Sequence, residues 1–397
     1  MAKRVSIPSK HVKVELVGLR DNYFASRVQR VSATADQPTN TIDELGNPQH
    51  AGTSKDVPNV TFTFQVMDVG IDAIAALTGQ DSAAFPASGV NLATALDLSI
   101  DAVLRVRDAT VAQYVKASHL RRCTVQSFTY NYTVDGDSSE EYTAVGSQKR
   151  WFSNDVIVEK FTTGTTSFVL SETPKILANG NDVLTAILDG VYLVEVDSSP
   201  VTGEYEVTAG TLITSDSRVS QLMVVYQSPA TGDAWTDIDD NDNPAAIRGK
   251  DVLVNIAAAN QERVQAVSIN GNFNPQAVRE MGNRDIVGYT NQNLEVTGTI
   301  TVLDTDIDLL ALLTGYDPAT DTEFLIGQCT VSGVALEVVL QNPADCEDPF
   351  AVLKTVYLPS VSVTSEGFTS NVNDNAQQTF DFRSEDGAVQ IFEGARL

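Results

Sequence analysis

The chain has 397 residues, 42% of them hydrophobic, and carries 52 acidic against 26 basic side chains for a formal charge of −26. That length allows two or three domains with a sizeable core, and the composition is too apolar for a disordered chain. The charge repels nucleic acid and anionic membranes at long range and does not make a specific DNA binder. It suits solubility, adaptation to high salt, or a negatively charged passage that DNA crosses without sticking. No stretch approaches the ~18 apolar residues of a membrane span, and no apolar run follows the basic start Met1-Ala2-Lys3-Arg4, so a signal peptide is not expected. Cys123, Cys329 and Cys346 are too few for a disulfide framework, and a reducing cytoplasm is expected at least at first.

In chain order, residues 12–17 alternate apolar and polar side chains and predict a first strand; 28–34 predict a second. Residues 36–59 form a long polar stretch rich in Pro, Asn and Gly. Loops of that length are uncommon in compact domains unless they have a task, and contact with another subunit is the expectation. Residues 60–66 alternate cleanly, the even-numbered ones toward a core and Thr61, Thr63 and Gln65 toward something wet. Residues 71–77 space apolar side chains three apart, which predicts a short helix on a sheet, ended by Gly79 at the C′ position. Strands return near 98–106 and 124–134, with Asp135-Gly136-Asp137 as a hairpin tip. Strand-like runs at 156–161, 166–170, 191–196, 205–207 and 222–226, punctuated by Gly and Asn, predict a small extra β-module, followed by an acidic, Asn-rich linker at 236–244.

The most informative feature is internal repetition. Arg27-Val28-Gln29-Arg30-Val31-Ser32 returns as Arg263-Val264-Gln265-Ala266-Val267-Ser268, Glu44-Leu45-Gly46-Asn47 as Glu280-Met281-Gly282-Asn283, and Leu77-Thr78-Gly79-Gln80-Asp81 as Leu313-Thr314-Gly315-Tyr316-Asp317. Without gaps, about 21 of roughly 55 positions match, against about four expected by chance, which means duplication. Farther on, Tyr130, Val134 and Tyr142 line up with Phe368, Val372 and Phe380. The second copy repeats the third strand with Thr297, Thr299 and Thr301 on its polar side and Glu295 near its start; Gly298 stands for Phe62, so the apolar face cannot pack identically. Its helix is expected at 307–313. The expected fold is mainly β: two tandem β-sandwich or barrel-forming domains, 1–152 and 247–397, each with a short helix, and an inserted module with its linker at 153–246.

Chemistry is sparse. His11, His50 and His119 are widely separated, and no nucleophile elbow, phosphate-binding glycine loop or His-Glu-x-x-His occurs. Asp237-Ile238-Asp239-Asp240-Asn241-Asp242 looks like the start of a calcium loop, but the sixth position is Asp242 rather than Gly and the twelfth is Arg248 rather than Glu, which favours a solvated linker. No catalytic, cofactor or metal residues are assigned; the chain is expected not to be an enzyme.

The repeat unit, with its Arg263–Ser268 motif, long loop, alternating strand Leu294-Glu295-Val296-Thr297-Gly298-Thr299-Ile300-Thr301-Val302-Leu303 and short helix ending at Gly315, resembles the domain of viral tail tube proteins. In that family two packed sheets carry a flanking helix and one long loop. A duplicated chain is similar to siphovirus tubes built from trimers, in which two domains imitate two subunits. The resemblance implies stacked trimeric, pseudo-hexameric rings whose barrels of about 24 strands surround a DNA-conducting lumen. It implies partners among the other tail proteins (terminator, baseplate, tape measure), passage of genomic DNA without specific binding, no membrane binding by the tube wall, and a place in the virion tail after assembly in the host cytoplasm, for a bacteriophage or haloarchaeal virus. Thr61, Thr63, Gln65, Glu295, Thr297, Thr299 and Thr301 would line the lumen; Leu45, Gly46, Asn47, Met281, Gly282 and Asn283 would sit at subunit interfaces. A trimeric baseplate hub or tail adaptor is the alternative in the same class. An adhesin or glycan-binding β-protein is the alternative in another, and would need exposed aromatics clustered on one face, where only Trp151 and Trp235 are available among tryptophans.

Overall fold

The structure is a computed structural model that describes residues 9–20, 22–45, 48–67, 70–96, 99–107, 114–153, 155–162, 165–175, 184–215, 221–227, 247–257, 259–260, 263–303, 333–342, 351–370 and 375–396. It is mainly β, with antiparallel pairing throughout the two repeats. The first repeat has seven main strands: β1 (Val12–Val17), β2 (Val28–Asp36), β3 (Asn59–Val66), β4 (Ile100–Arg107), β5 (Tyr114–Thr133), β6 (Ser139–Gly146) and β7 (Gln148–Phe152). The second has seven in the same order: β8 (Val252–Ile256), β9 (Val264–Asn272), β10 (Glu295–Val302), β11 (Val334–Gln341), β12 (Val352–Thr369), β13 (Gln377–Ser384) and β14 (Gln390–Glu393).

Each repeat is a two-layer sandwich. The outer layer of the first pairs β1–β4–β5–β7 and the inner layer β2–β3–β6–β5. β5 belongs to both: its first half pairs with β4 and β7, its second half with β6. The sequence signal predicted only the second half, because the first half, buried among partly polar residues such as Ser118 and His119, lacks clean alternation. The second repeat has the same pairings among β8 to β14.

The irregularities repeat as well. The β2–β3 register slips at Gln29 and the β9–β10 register at Gln265. Arg27 and Arg263, two residues earlier, both have positive φ (49° and 63°), and each Gln amide bonds that Arg carbonyl at 3.2 Å. The β5–β6 register slips at Gln126 and β12–β13 at Thr364. Bulges are specific devices that bend and twist a strand, so the same two in both repeats give both inner sheets the same bends.

In β3, Val60, Phe62, Phe64 and Val66 are buried and the residues between them are not; β10 alternates likewise. Phe62 faces Ala144 across the β3–β6 pair, whereas Gly298 faces Phe382 across β10–β13. A Cβ on Gly298 would lie 2.3 Å from the Phe382 ring and 2.2 Å from the Ser268 carbonyl oxygen. The second repeat has moved the large ring to the neighbouring strand, which keeps the layer filled at native density. Helix α1 (Asp72–Thr78) ends in left-handed Gly79, and its residues 73–78 are all buried. The 307–313 counterpart lies outside the described residues, as do Cys329, Cys346, Trp235 and the 237–242 acidic run.

Between the repeats, two four-stranded sheets form the module: Val156–Phe161, Leu222–Gln227, Leu184–Leu188 and Val191–Tyr192 in one, Ser167–Val169, Thr211–Thr214, Glu204–Thr208 and Val194–Glu195 in the other. Phe168, Leu212, Val224 and Tyr226 are among its own core residues. A second cluster packs Val156, Ile187, Met223 and Val225 on Val17, Val103, Ala117 and Phe152 of the first repeat's outer layer. Arg105 pins this contact: its guanidinium is buried, pairs with Glu15 and with Asp155 at 2.7 Å, and donates to the Val156 carbonyl at 2.8 Å. No helix among the described residues is long and apolar enough to cross a membrane.

Candidate assembly surface

The two repeats are joined by a sheet. The second half of β5 pairs antiparallel with β9 over seven residues, from Ala266 opposite Thr133 to Asn272 opposite Ser127. The inner layers therefore merge into one eight-stranded antiparallel sheet in the order β2–β3–β6–β5–β9–β10–β13–β12. Thr129 bonds Asn270 across the seam at 3.0 Å. The outer layers interlock too: Val90–Asn91, from the first repeat, adds to the edge of β14. The long loop of the second repeat folds over the first. Phe273 N–H donates to the Gln126 carbonyl, Arg122 to the Val287 carbonyl at 2.6 Å, and Gln148 to Asp285 at 2.9 Å.

This sheet ends in two edges. Among the described residues no strand lies beyond β2, nor beside β12 past Val361. The exposed half of β12 is the counterpart of the half of β5 that β9 covers, and β2 is the counterpart of β9. At the seam Tyr130, Val267 and Ile269 are buried; at the edges their counterparts Phe368, Val31 and Ala33 are not, and Phe368 is 65% exposed. An unpaired strand edge is a template for pairing with another chain, and lysine is a common guard against it. Here the Lys149 ammonium donates to the Ala33 carbonyl of β2 at 2.5 Å. Trp151 on β7 is 56% exposed, with the Lys116 and Lys149 ammoniums each 5.1 Å from its ring centre.

Thr61, Thr63, Gln65, Glu295, Thr297, Thr299 and Thr301 share one face of the eight-stranded sheet, opposite the aromatic core. Register places Asp36, Glu141 and Asp381 on that face, and also Arg30 and Arg383, which reading the third strands alone does not reveal. Arg383 pairs with Glu295 at 3.0 Å. Carboxylates still outnumber guanidiniums there, and the remainder is mostly Thr, Ser and Asn.

The long stretches form hairpins, Thr39–Ile42 with Gly52–Lys55 and Gln276–Val278 with Gly288–Thr290. Leu45 and Met281 stand fully exposed at 109% and 106%, so within one chain neither is covered. Gly282 is left-handed (φ 86°) and the Asn283 N–H closes the turn on Glu280; Gly46 and Asn47 lie outside the described residues. The buried apolar residues that seat the second loop are Phe273 and Ile286. Their counterparts are Gln37 and His50, so searching for elements common to both loops passes over them.

Two buried polar clusters hold the parts together. The Lys354 ammonium bonds the Glu140 carboxylate at 2.5 Å, both 0% exposed, and the Tyr142 hydroxyl donates to the same carboxylate at 2.6 Å. Burial and the Glu140 charge push the Tyr130 and Tyr142 hydroxyls well above their usual range, so both stay neutral. Under the module, Asp101 accepts from His119 at 2.7 Å, from the Tyr192 hydroxyl, and from the Arg122 N–H at 3.0 Å. Burial alone would raise the Asp101 carboxyl; the charge and hydrogen bond of His119, with the bond from Tyr192, outweigh it and hold the carboxyl below its usual value.

No protein-family model matches the chain, and no curated protein matches it. Among solved structures, a cryo-EM structure of the anti-feeding prophage cap, a tube-terminating cap, aligns with 38% of this chain and 95% of its own at a TM-score of 0.26 and 14% identity.

Proposed function

We propose that this chain is a structural, non-enzymatic protein that closes into rings through its two sheet edges, and that the rings form the tail tube of a tailed virus. One observation carries the reading: the seam between the repeats joins two surfaces whose counterparts stand open at the ends of the same sheet. The half of β12 past Val361 on one copy takes β2 of the next, as β5 takes β9. Closure removes both edges at once, and every inner strand then has two neighbours. Three chains of eight inner strands give a barrel of about 24, wide enough for an aqueous lumen. The polar face would line that lumen with hydroxyls, amides and paired charges. Phosphate contacts accumulate with each basic side chain, so a neutral-to-acidic wall lets DNA slide. The module covers the outer face of the outer layer and would decorate the ring's exterior.

Negative-stain images and solution mass of the purified chain test this. The expected result is rings of three times the 42.6 kDa chain, with a central pore, stacking into tubes. A stable monomer at every concentration and salt would overturn the reading, and discrete rings that never stack would move it to a baseplate hub or adaptor.

A further inference from the structure

Taking the ring reading as given, we infer that the seam between chains is locked by Lys116 of one copy, seated over Phe368 of a second copy with Glu366 of that copy as its counter-charge.

The inference starts from the seam inside the chain. Lys354, on the outer-layer half of β12, reaches across to the first repeat, bonds Glu140, and lies 5.1 Å from the centre of the Tyr130 ring. Strand register fixes the counterparts. Leu120 pairs with Ala102 and Leu358 with Leu336, so four residues earlier Lys116, opposite Val106, answers to Lys354, opposite Leu340. Tyr142 faces Phe64 and Phe380 faces Ile300, so Gln378 answers to Glu140 and Phe368 to Tyr130. When a second copy repeats the internal arrangement, its Lys116 arrives over Phe368.

The lysine and the ring are therefore duplicated, but the carboxylate is not: Gln378 stands where Glu140 was. The negative charge reappears on the neighbouring strand β12, two residues before Phe368 and on the same face. The Gln378 amide donates to the Glu366 carboxylate at 2.9 Å. Glu366 answers to Phe128, whose ring centre is 5.1 Å from that of Tyr130. A carboxylate held there by Gln378 lies beside the Phe368 ring, on the core side of the sheet, within a lysine's reach. In the single chain Lys116 is half-buried and rests against Trp151, so its ammonium is free to turn outward without unpacking the core. The internal seam uses a buried lysine–glutamate pair and the seam between chains a lysine–glutamate pair of shifted position, so the first repeat's Glu140 cannot be confused with the second repeat's edge. Charge and register together then specify the correct neighbour.

The test uses the full chain and its variants Lys116→Glu, Glu366→Lys and the double exchange, read as the concentration at which rings form by mass photometry, with the melting temperature of the dilute chain as the folding check. Each single variant is expected to melt like the parent and to need on the order of 100-fold more protein to form rings; the double exchange recovers at least about 10-fold of that. Lys116→Met and Glu366→Gln give the same direction with smaller shifts and no new repulsion. Single variants that assemble like the parent, or a double exchange no better than the worse single, overturn the assignment while leaving the ring reading intact. A parent chain that forms no rings removes both.

Discussion

Lys354 of the second repeat and Glu140 of the first form an ion pair with both side chains wholly buried, 2.5 Å apart, at the place where the two inner sheets become one. Such a pair contributes little net stability over a well-packed apolar pair, but halving it leaves a bare charge in the core. Lys354→Met alone is expected to cost about 3–5 kcal/mol in denaturant unfolding, and Lys354→Met with Glu140→Leu to recover most of it. Equal losses in the single and double variants would mean that the lysine stem, not its charge, holds the seam.

Lys149 donates to the Ala33 carbonyl on the open strand β2, so it must yield before another strand can pair there. Lys149→Met is expected to speed ring formation in stopped-flow light scattering and to make the free chain more prone to disordered aggregation, because a guarding charge has gone from the edge. Slower assembly would show that the ammonium serves the closed ring instead.

Leu45 and Met281 are fully exposed in one chain, whereas Ile286 is buried, between Asp285 and Val287, which bond Gln148 and Arg122 of the first repeat. Replacing Leu45 and Met281 with Asp should leave the melting temperature of the free chain unchanged and abolish tubes. Ile286→Asp should destabilise the free chain by about 3 kcal/mol through loss of burial and an unpaired charge. Hydrogen exchange should show the loop tips protected only after assembly; equal, fast exchange in both states removes their interface role.

Beneath the module the Asp101 carboxyl is held below its usual value. Its contribution to stability is therefore present above the unfolded carboxylate pKa of about 3.9 and is lost as pH falls through the lower folded value. Asp101→Asn should weaken the module's attachment at neutral pH and flatten the acid-unfolding curve below about pH 4, measured by limited proteolysis across a pH series. A curve as steep as the parent's would place the acid sensitivity elsewhere.

The module's strand Val156–Phe161 pairs with Leu222–Gln227, so an excision that removes both strands together spans 156–227. That deletion uncovers Val17, Val103, Ala117 and Phe152. With polar residues at Val17 and Phe152 the shortened chain should stay soluble and form rings of unchanged inner diameter. Failure to fold would make the module part of the first repeat's core.

Period-two alternation made the inner strands legible, since one face is core and the other wet: residues 60–66 and 296–302 read directly. The helix at Asp72–Thr78 was readable from its spacing and Gly79. The strands β7, β8 and β14 and the module strands Leu184–Leu188 and Thr211–Thr214 were not, because they are short and, in Leu184–Leu188, buried on both faces, which erases alternation. The polar face was legible in its threonines but not in Arg30 and Arg383, whose placement depends on register across three strands. The Lys354–Glu140 pair joins residues 214 apart in the chain and leaves no local pattern.

The most direct test of ring closure is a disulfide trap across the seam between chains. If the proposed ring repeats the internal register, in which Ser268 faces Asn131, Ser32 of one copy would face Thr369 of the next, both on the polar face. A chain with Ser32→Cys and Thr369→Cys, and with Cys329 and Cys346 changed to Ser, should oxidise to covalent dimers and closed trimers, while Thr34→Cys with Thr369→Cys, two residues out of register, should not. Absence of intermolecular crosslinks in the first variant, or equal crosslinking in both, would contradict the closure of the sheet into a ring.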